Sequence, residues 1–489
     1  MNLELYFSRF RENIVGINQT FLSPYGEQRL LYADWTASGR LYLPIEIKML
    51  EAFGPFVGNT HSESTITGGL MTHAYHHAHA IIKKHVHANE NDALLFVGSG
   101  MTAAINKFQR ILGLKIPDKY KSTVEVLKEE RPIVFVTHME HHSNQTTWYE
   151  TIADVYIIQP TIEGKVDCND LRRALQQYKG RTVKIGSFSA CSNVTGVETP
   201  YHELAAIMHE HNGIAIVDFA ACAPYVSIDM HPNDEKQKLD AILFSPHKFL
   251  GGPGTPGVLL FDKNLYHLES PDQPGGGTVL WTNPWGKHRF SPDIEVREDG
   301  GTPGFLQAIK ASLVIQLKEE MQTELIRKRE EELLALTFER LRAIPHLHIL
   351  AEQAHERLTM FSFYFEHIHY NLVVKLLNDR FGIQSRGGCS CAGTYGHYLL
   401  LVDEQHSQTI TNKIDSGDLS DKPGWIRISL HPTTTNKEVE SILDALRQID
   451  HNIDTWKNDY IYNNHTNEYY HKNENGYLVQ TAEKWFKKI

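Results

Sequence analysis

The sequence predicts an α/β protein, with a large domain built on a mainly parallel central sheet and a smaller α+β C-terminal domain. Three observations carry this. Six short apolar runs, several of them continuous and β-branched, alternate with helix-like segments between about Leu30 and Phe261, as strands covered on both faces of a parallel sheet should. Gly- and Pro-rich stretches at 251–257 and 271–277 punctuate that region as loops. Beyond about Lys318 the rhythm changes to a charged, Leu-punctuated helical period followed by strand-like sequence, the mark of a separate layer of structure.

Taken in order, residues 1–29 are expected to form an N-terminal segment that packs with the smaller domain. The large domain is expected over 30–317, with strands near 93–97, 133–136, 155–158, 183–188, 214–217 and 241–244. The small domain, 318–450, opens on a hinge helix over 318–343 and continues with strand-like 346–364 and a helix over 371–380. The remainder, 451–489, is rich in Asn, Tyr, His and Lys. It reads as a loosely attached polar extension ending in a short helix near 482–487.

Composition limits the partners. Lys plus Arg total 48 against 59 Asp plus Glu, a formal charge of −11, so the basic field that gathers nucleic acid or anionic lipid is missing. A small-molecule partner is expected, with neither nucleic acid nor membrane. Five cysteines are an odd count in a long chain and fit free thiols in a reducing compartment. Charged residues Glu4, Arg9, Arg11 and Glu12 interrupt the first residues, and no run approaches the roughly 18 apolar residues of a membrane span. Cytoplasm is the expected compartment. Histidine is abundant, at 28 residues, and six of them cluster at 73, 76, 77, 79, 85 and 87. His73 and His77 share a helical face, but the glutamate of His-Glu-x-x-His and a distant third ligand are missing. A solvated helix surface is expected there, and no metal site.

The chemistry concentrates at predicted strand ends. Ser245-Pro246-His247-Lys248 follows a buried strand and precedes the Gly-rich loop from Gly251, a setting that lowers a lysine's pKa and frees its amine for Schiff-base formation. Asp218 ends the strand one βαβ crossover upstream, so both residues face the crevice at the carboxyl edge of the sheet. A Schiff-base lysine facing an aspartate is what pyridoxal 5'-phosphate requires, because the carboxylate keeps the ring nitrogen protonated. Gly98-Ser99-Gly100-Met101-Thr102, between a strand and a helix, supplies backbone N–H groups and a hydroxyl for the phosphate.

An ordered set of motifs then resembles a known family. Gly-Met-Thr-Ala-Ala-Ile-Asn (100–106), Met-Glu-His-His-Ser-Asn (139–144), Ser-Asn-Val-Thr-Gly (192–196), Val-Asp-Phe-Ala-Ala (217–221), Ser-Pro-His-Lys (245–248), Gly-Gly-Thr-Pro (300–303), Arg-Gly-Gly-Cys-Ser-Cys-Ala-Gly (386–393) and Arg-Ile-Ser-Leu (427–430) are similar to class V aminotransferases. Within that class they most resemble the cysteine desulfurase and selenocysteine lyase group. The resemblance implies a fold-type-I pyridoxal-phosphate enzyme and a homodimer with composite active sites. It makes Lys248 the Schiff-base lysine, Asp218 the ring-nitrogen partner and His141 the group stacked on the ring. Met101, Thr102, Ser245 and His247 fall where the family binds phosphate, Asn193 lies beside ring and substrate, and Thr302 reaches the phosphate of the neighbouring subunit. Arg427 matches the holder of the substrate α-carboxylate. His61 falls in a loop that aligns with the substrate-access loop.

Cys391, preceded by Arg386, falls at the nucleophilic cysteine of the desulfurase loop. The implied reaction is cleavage of the C–S bond of L-cysteine through an external Schiff base and a cysteine persulfide, which releases alanine and hands sulfur to an acceptor protein. Cys389 could resolve the persulfide; a lone Cys-x-Cys makes no zinc site. Three departures weaken the match to this reaction: Ala221 replaces the usual glutamine, Met101 replaces a threonine, and an insertion over 398–424 follows the cysteine loop. A class V transaminase or lyase without persulfide chemistry, and a non-catalytic binding protein on the same fold, stay open.

Overall fold

The six expected strands, with a seventh, hydrogen-bond into one sheet in the computed structural model, which describes residues 1–60, 62–474 and 476–487. They are β1 (Asp92–Val97), β2 (Ile133–Thr137), β3 (Asp154–Ile158), β4 (Lys184–Ser189), β5 (Ile214–Asp218), β6 (Ala241–Phe244) and β7 (Gly257–Asp262). Their spatial order is β1-β7-β6-β5-β4-β2-β3. Pairings among β2 to β6 are parallel, while β7 runs antiparallel to both β1 and β6. All the strands but β7 therefore point the same way. Val217, Ile242, Phe244, Val258 and Leu260 enter one apolar cluster, and Ile216, Leu243, Leu259 and Phe261 enter another. Alternate residues thus serve opposite faces, and both faces are covered.

The hinge differs from expectation. The helical period begins earlier, in α3 (Phe305–Met321), and breaks at Gln322, φ 60°, before α4 (Thr323–Arg342). The strand-like run over 346–364 divides into β8 (Leu347–Ile349) and β9 (Met360–Phe365), which join β10 (Arg386–Gly388) and β11 (Trp425–Ser429) in an antiparallel sheet ordered β8-β9-β11-β10. Phe361, Phe363, Ile426 and Ile428 meet Leu443 and Leu446 of α5 (Asn436–Trp456) beneath it. A capping box between Thr435 and Glu438 starts α5.

The N-terminal segment touches both halves. Its helix, Leu3–Arg11, buries Leu3, Phe7 and Phe10 beside Leu317 and Met321, and Arg11 pairs with Glu438 at 2.5 Å. Leu31–Tyr32 then adds in parallel to Ile383–Gln384, which delivers residues 34–40 to the large sheet.

The tail is not loose as far as His471. Alternating aromatics form a hairpin, Tyr460–Asn463 with Glu468–His471. Tyr460 donates to Asp379 at 3.1 Å, Asn467 donates to the Tyr370 hydroxyl at 2.6 Å, and the Arg380 guanidinium lies 3.8 and 4.0 Å from the Tyr25 and Trp456 ring centres. The insertion over 398–424 leans on this hairpin, with the Leu419 N–H donating to the Asn464 carbonyl at 2.9 Å. The histidine-rich helix, Ile66–His85, exposes His73, His76 and His77 as expected, but His79 faces Glu295 at 3.3 Å and His85 faces Glu319 at 3.1 Å. Among the described residues no helix is long and apolar enough to cross a membrane.

Candidate active site

Five strand ends converge on one cleft of about 630 Å³, at the carboxyl edge where parallel sheets place ligands. After β1, Gly98 takes φ 49° and turns the chain into α1 (Met101–Ile111). The Met101 N–H donates to Ser245 Oγ at 2.8 Å, and Thr102 Oγ1 lies 2.6 Å from Ser143 Oγ. A Cβ on Gly257 would stand only 2.4 Å from the Gly100 carbonyl, so that position tolerates no side chain, and one on Gly100 would press on Ser245 Oγ at 3.0 Å. The result is a cradle of N–H groups and hydroxyls at a helix N-terminus, suited to an anion. His247 lines it, with its pKa pulled to about 4 by burial and by the neighbouring Lys248.

Asp218 ends β5 and Lys248 follows β6, its neighbour in the sheet. Asp218 accepts the Ala220 N–H at 2.8 Å, and burial pushes its carboxyl up to about 7. Burial lowers the Lys248 pKa although Asp218 opposes the shift, which favours the neutral amine more than at an exposed lysine. His141 caps α2 (His142–Tyr149), its Nδ1 accepting the Ser143 N–H at 3.1 Å, which leaves the ring proton on Nε2. Burial and then Lys248 bring its pKa to about 3. A flat, uncharged ring is thereby presented to the cleft. Behind it Glu140 accepts from Thr137, Ser189 and Asn144 and locks the ends of β2 and β4 together.

The two arginines are held by a residue that no sequence motif pointed to. Asp34 accepts from Arg427 at 2.8 Å and from Arg386 at 3.1 Å, while Arg427 also donates to the Asn193 carbonyl at 2.9 Å. Cys391 lies in the same cleft, exposed, at φ 57°. Its loop is pinned to the large sheet: the His142 N–H donates to the Cys391 carbonyl at 2.7 Å, Asn193 donates to the Ser390 carbonyl at 2.7 Å, and the Gly393 N–H donates to His142 at 2.9 Å. The insertion therefore leaves Cys391 at the cleft. Cys389 does not line it and packs against the cluster of Tyr395 and Trp425.

Of the residues singled out by sequence, Met101, Thr102, His141, Asn193, Asp218, Ser245, His247, Lys248, Arg386, Cys391 and Arg427 line this single cleft. Thr302 lies outside it, exposed, and donates to Asn59 at 3.3 Å. His61 lies outside the described residues. Asp34, Thr36 and Cys191 were missed, the first two because they come from a segment without a motif. The Cys191 thiol is buried against Cys222, and this contact, then burial, raises its pKa well above the ordinary value. It stays protonated, unlike a nucleophile. Thr36 Oγ1, Asn193 Oδ1 and Arg427 Nε are buried without a partner among the described residues. Such atoms carry a cost unless a polar ligand meets them, and together with the anion cradle and the Lys248–Asp218 pair they fit a phosphorylated pyridine.

The architecture is that of the fold-type-I pyridoxal-phosphate enzymes. Comparison with known proteins narrows this: the chain belongs to the family described as Aminotransferase class-V, whose model matches residues 31–442. A Staphylococcus aureus protein described as "Probable cysteine desulfurase" is 26% identical over 425 residues, 86% of this chain and 92% of the relative. One of the same description from Halalkalibacterium halodurans is 27% identical over 371 residues, 74% of this chain and 84% of the relative. The apo cysteine desulfurase of Thermococcus onnurineus superposes with a TM-score of 0.71 at 21% identity, covering 90% of this chain and 97% of its own. The Escherichia coli cysteine desulfurase CsdA gives 0.70 at 19%, covering 91% and 98%.

Proposed function

We propose that the protein binds pyridoxal 5'-phosphate on Lys248 and removes sulfur from L-cysteine. The observation that carries this reading is a single cleft that holds a lysine of lowered pKa, a buried aspartate, an anion cradle and an accessible cysteine. Met101 N–H, Thr102, Ser245 and His247 would hold the phosphate, Asp218 the ring nitrogen and His141 the ring face. When bound, the cofactor supplies an electron sink for the pair left at Cα after proton removal.

The side chains do the rest. Arg427 takes the substrate carboxylate in place of Asp34, a bidentate match that only a guanidinium offers. Asn193 offers its free Oδ1 to the same end of the cleft. Lys248, as a neutral amine, would take the proton from Cα. Cys391 attacks the substrate sulfur as thiolate: an S–S bond forms, the Cβ–S bond breaks with its electron pair going to carbon, and alanine leaves after protonation. A thiol reductant or an acceptor protein then takes the sulfur.

A homodimer in the cytoplasm belongs to the same reading. Thr302 sits on the outer surface beside Asn59, and the chain around Asn59 exposes Leu50, Phe56, Val57 and Ile66, an apolar surface that a second subunit would cover. Sedimentation should return twice the chain mass of 55.8 kDa.

The direct test mixes cofactor-loaded protein with L-cysteine and dithiothreitol. Alanine and sulfide should appear in equal amounts, and Lys248→Ala should abolish both together with the visible absorbance of the bound cofactor. Cys391→Ala should retain the cofactor's colour and lose sulfide release by at least 100-fold. Full activity on another amino acid in Cys391→Ala would establish the transaminase or lyase reading instead, and a protein that stays colourless with cofactor would establish the non-catalytic one.

A further inference from the structure

Outside the cleft, one cluster of side chains among the described residues has the donors and spacing of a metal centre. His346 Nδ1 lies 3.2 Å from Asp450 Oδ1, and His367 Nε2 lies 3.6 Å from the same oxygen. The ligand atoms of all three residues fall within 4.8 Å of one another. In a tetrahedral zinc site with bonds of about 2.05 Å, ligand atoms stand about 3.3 Å apart. Two of the three edges already have nearly that length, and rotation of an exposed imidazole closes the third. None of the three residues lines the cleft.

The backbone brings them together from three places. His346 precedes β8 and takes φ 57°, and its carbonyl accepts the Glu366 N–H at 3.2 Å. His367 lies in the turn after β9, closed by a bridge between Phe365 and Ile368. Because Leu347 pairs with Phe365, the two histidines come from the same end of one strand pair, with ring centres 4.8 Å apart. Asp450 reaches them from α5. Asp454, one turn further, is paired with Lys457 at 2.7 Å. The set is therefore two imidazoles and one carboxylate, with a remaining position open to water.

The geometry points to a divalent metal site of the zinc type formed by His346, His367 and Asp450 on the outer face of the small domain. Two imidazoles and a carboxylate suit zinc and its transition-metal neighbours over calcium or magnesium, which prefer oxygen. The histidine side chains are 56% and 40% exposed, so the ion exchanges with solution. Its role is a clamp between α5 and the β8–β9 pair, which stabilises the folded state by mass action.

Tag-free, cofactor-loaded enzyme, cleared of metal with a chelator, is titrated with zinc chloride by calorimetry and with cobalt chloride by visible absorbance. One zinc per chain with a Kd of about 10 μM or tighter is expected, together with cobalt bands of tetrahedral or five-coordinate intensity and a melting temperature raised by several degrees. His346→Gln, His367→Gln and Asp450→Asn should each weaken zinc at least tenfold. Cys391→Ser, and His73→Gln with His77→Gln, should leave the zinc affinity as it is. Zinc binding that persists in the His346→Gln, His367→Gln double variant overturns the assignment. So does an absence of stoichiometric binding to the wild-type chain, which would leave the cluster as ion pairs only.

Discussion

At the scale of single residues, the cleft turns on Asp34. It is the counter-ion of Arg427, which is only 3% exposed, and it also holds Arg386. A buried guanidinium without its carboxylate is costly, by about 3–5 kcal/mol when one partner is removed. Asp34→Asn is therefore expected to lower stability by roughly that much in chemical denaturation of the cofactor-free protein. A carboxylate ligand competes with Asp34 for the same guanidinium, so added alanine should raise the melting temperature of Asp34→Asn more than that of wild type. Equal shifts in the two proteins would mean that Arg427 does not meet the ligand's carboxylate.

At the scale of elements, the stretch 34–40 is what holds the lysine turn in place. The Gly39 N–H and the Ser38 hydroxyl both donate to the His247 carbonyl, at 2.9 and 3.2 Å, and the Gly251 N–H donates to the Arg40 carbonyl at 2.7 Å. A Cβ on Gly39 would stand 1.8 Å from the Phe249 carbonyl oxygen. Gly39→Ala should therefore cost about 3 kcal/mol in unfolding free energy, at the upper end of overpacking effects, and weaken cofactor retention in a dialysis assay. Nothing in the sequence announced this contact, because it joins residues about 210 positions apart. The central strands were legible for the opposite reason: burial on both faces leaves a continuous β-branched run that no neighbour can disguise. Lys248, Asp218 and the glycines after β1 were legible too, since each sits where a strand stops. Strand β7 was hidden behind the Gly- and Pro-rich loop that precedes it, and the tail hairpin behind its polar composition, although the alternation of Tyr460, Tyr462, Tyr469 and His471 was there to be read. Asp34 carries no such local signal, only a partner in another domain.

At the scale of the whole molecule, the histidines that take no part in the cleft govern how stability depends on pH. Burial holds His85 at about 3, His138 at about 4 and His431 at about 3. Each stays neutral in the folded chain while its unfolded counterpart protonates near 6.5. Their contribution is complete above pH 6.5 and is lost as pH falls toward 4, at about 1.4 kcal/mol per proton per pH unit. Two buried carboxyls act in the opposite sense. Burial raises Asp218 and Glu330 to about 7, so in the folded state each binds a proton that the unfolded chain binds only near 4, and their contribution is lost as pH rises through 7. Between pH 6.5 and 5 the three histidines come to outweigh the two acids by up to about one proton, so these five groups together should cost about 1 kcal/mol of stability per pH unit on acidification. His141 and His247, lowered to about 3 and about 4 in the same way, add to this trend before the cofactor is bound. The balance can be split by substitution. His431→Gln should flatten the acid limb by about one proton's worth, and Glu330→Gln should steepen it by the same amount. Urea denaturation of each variant at pH 7.0, 6.0 and 5.0 reads the slopes directly, and two changes of the same sign would refute the assignment of opposed buried charges.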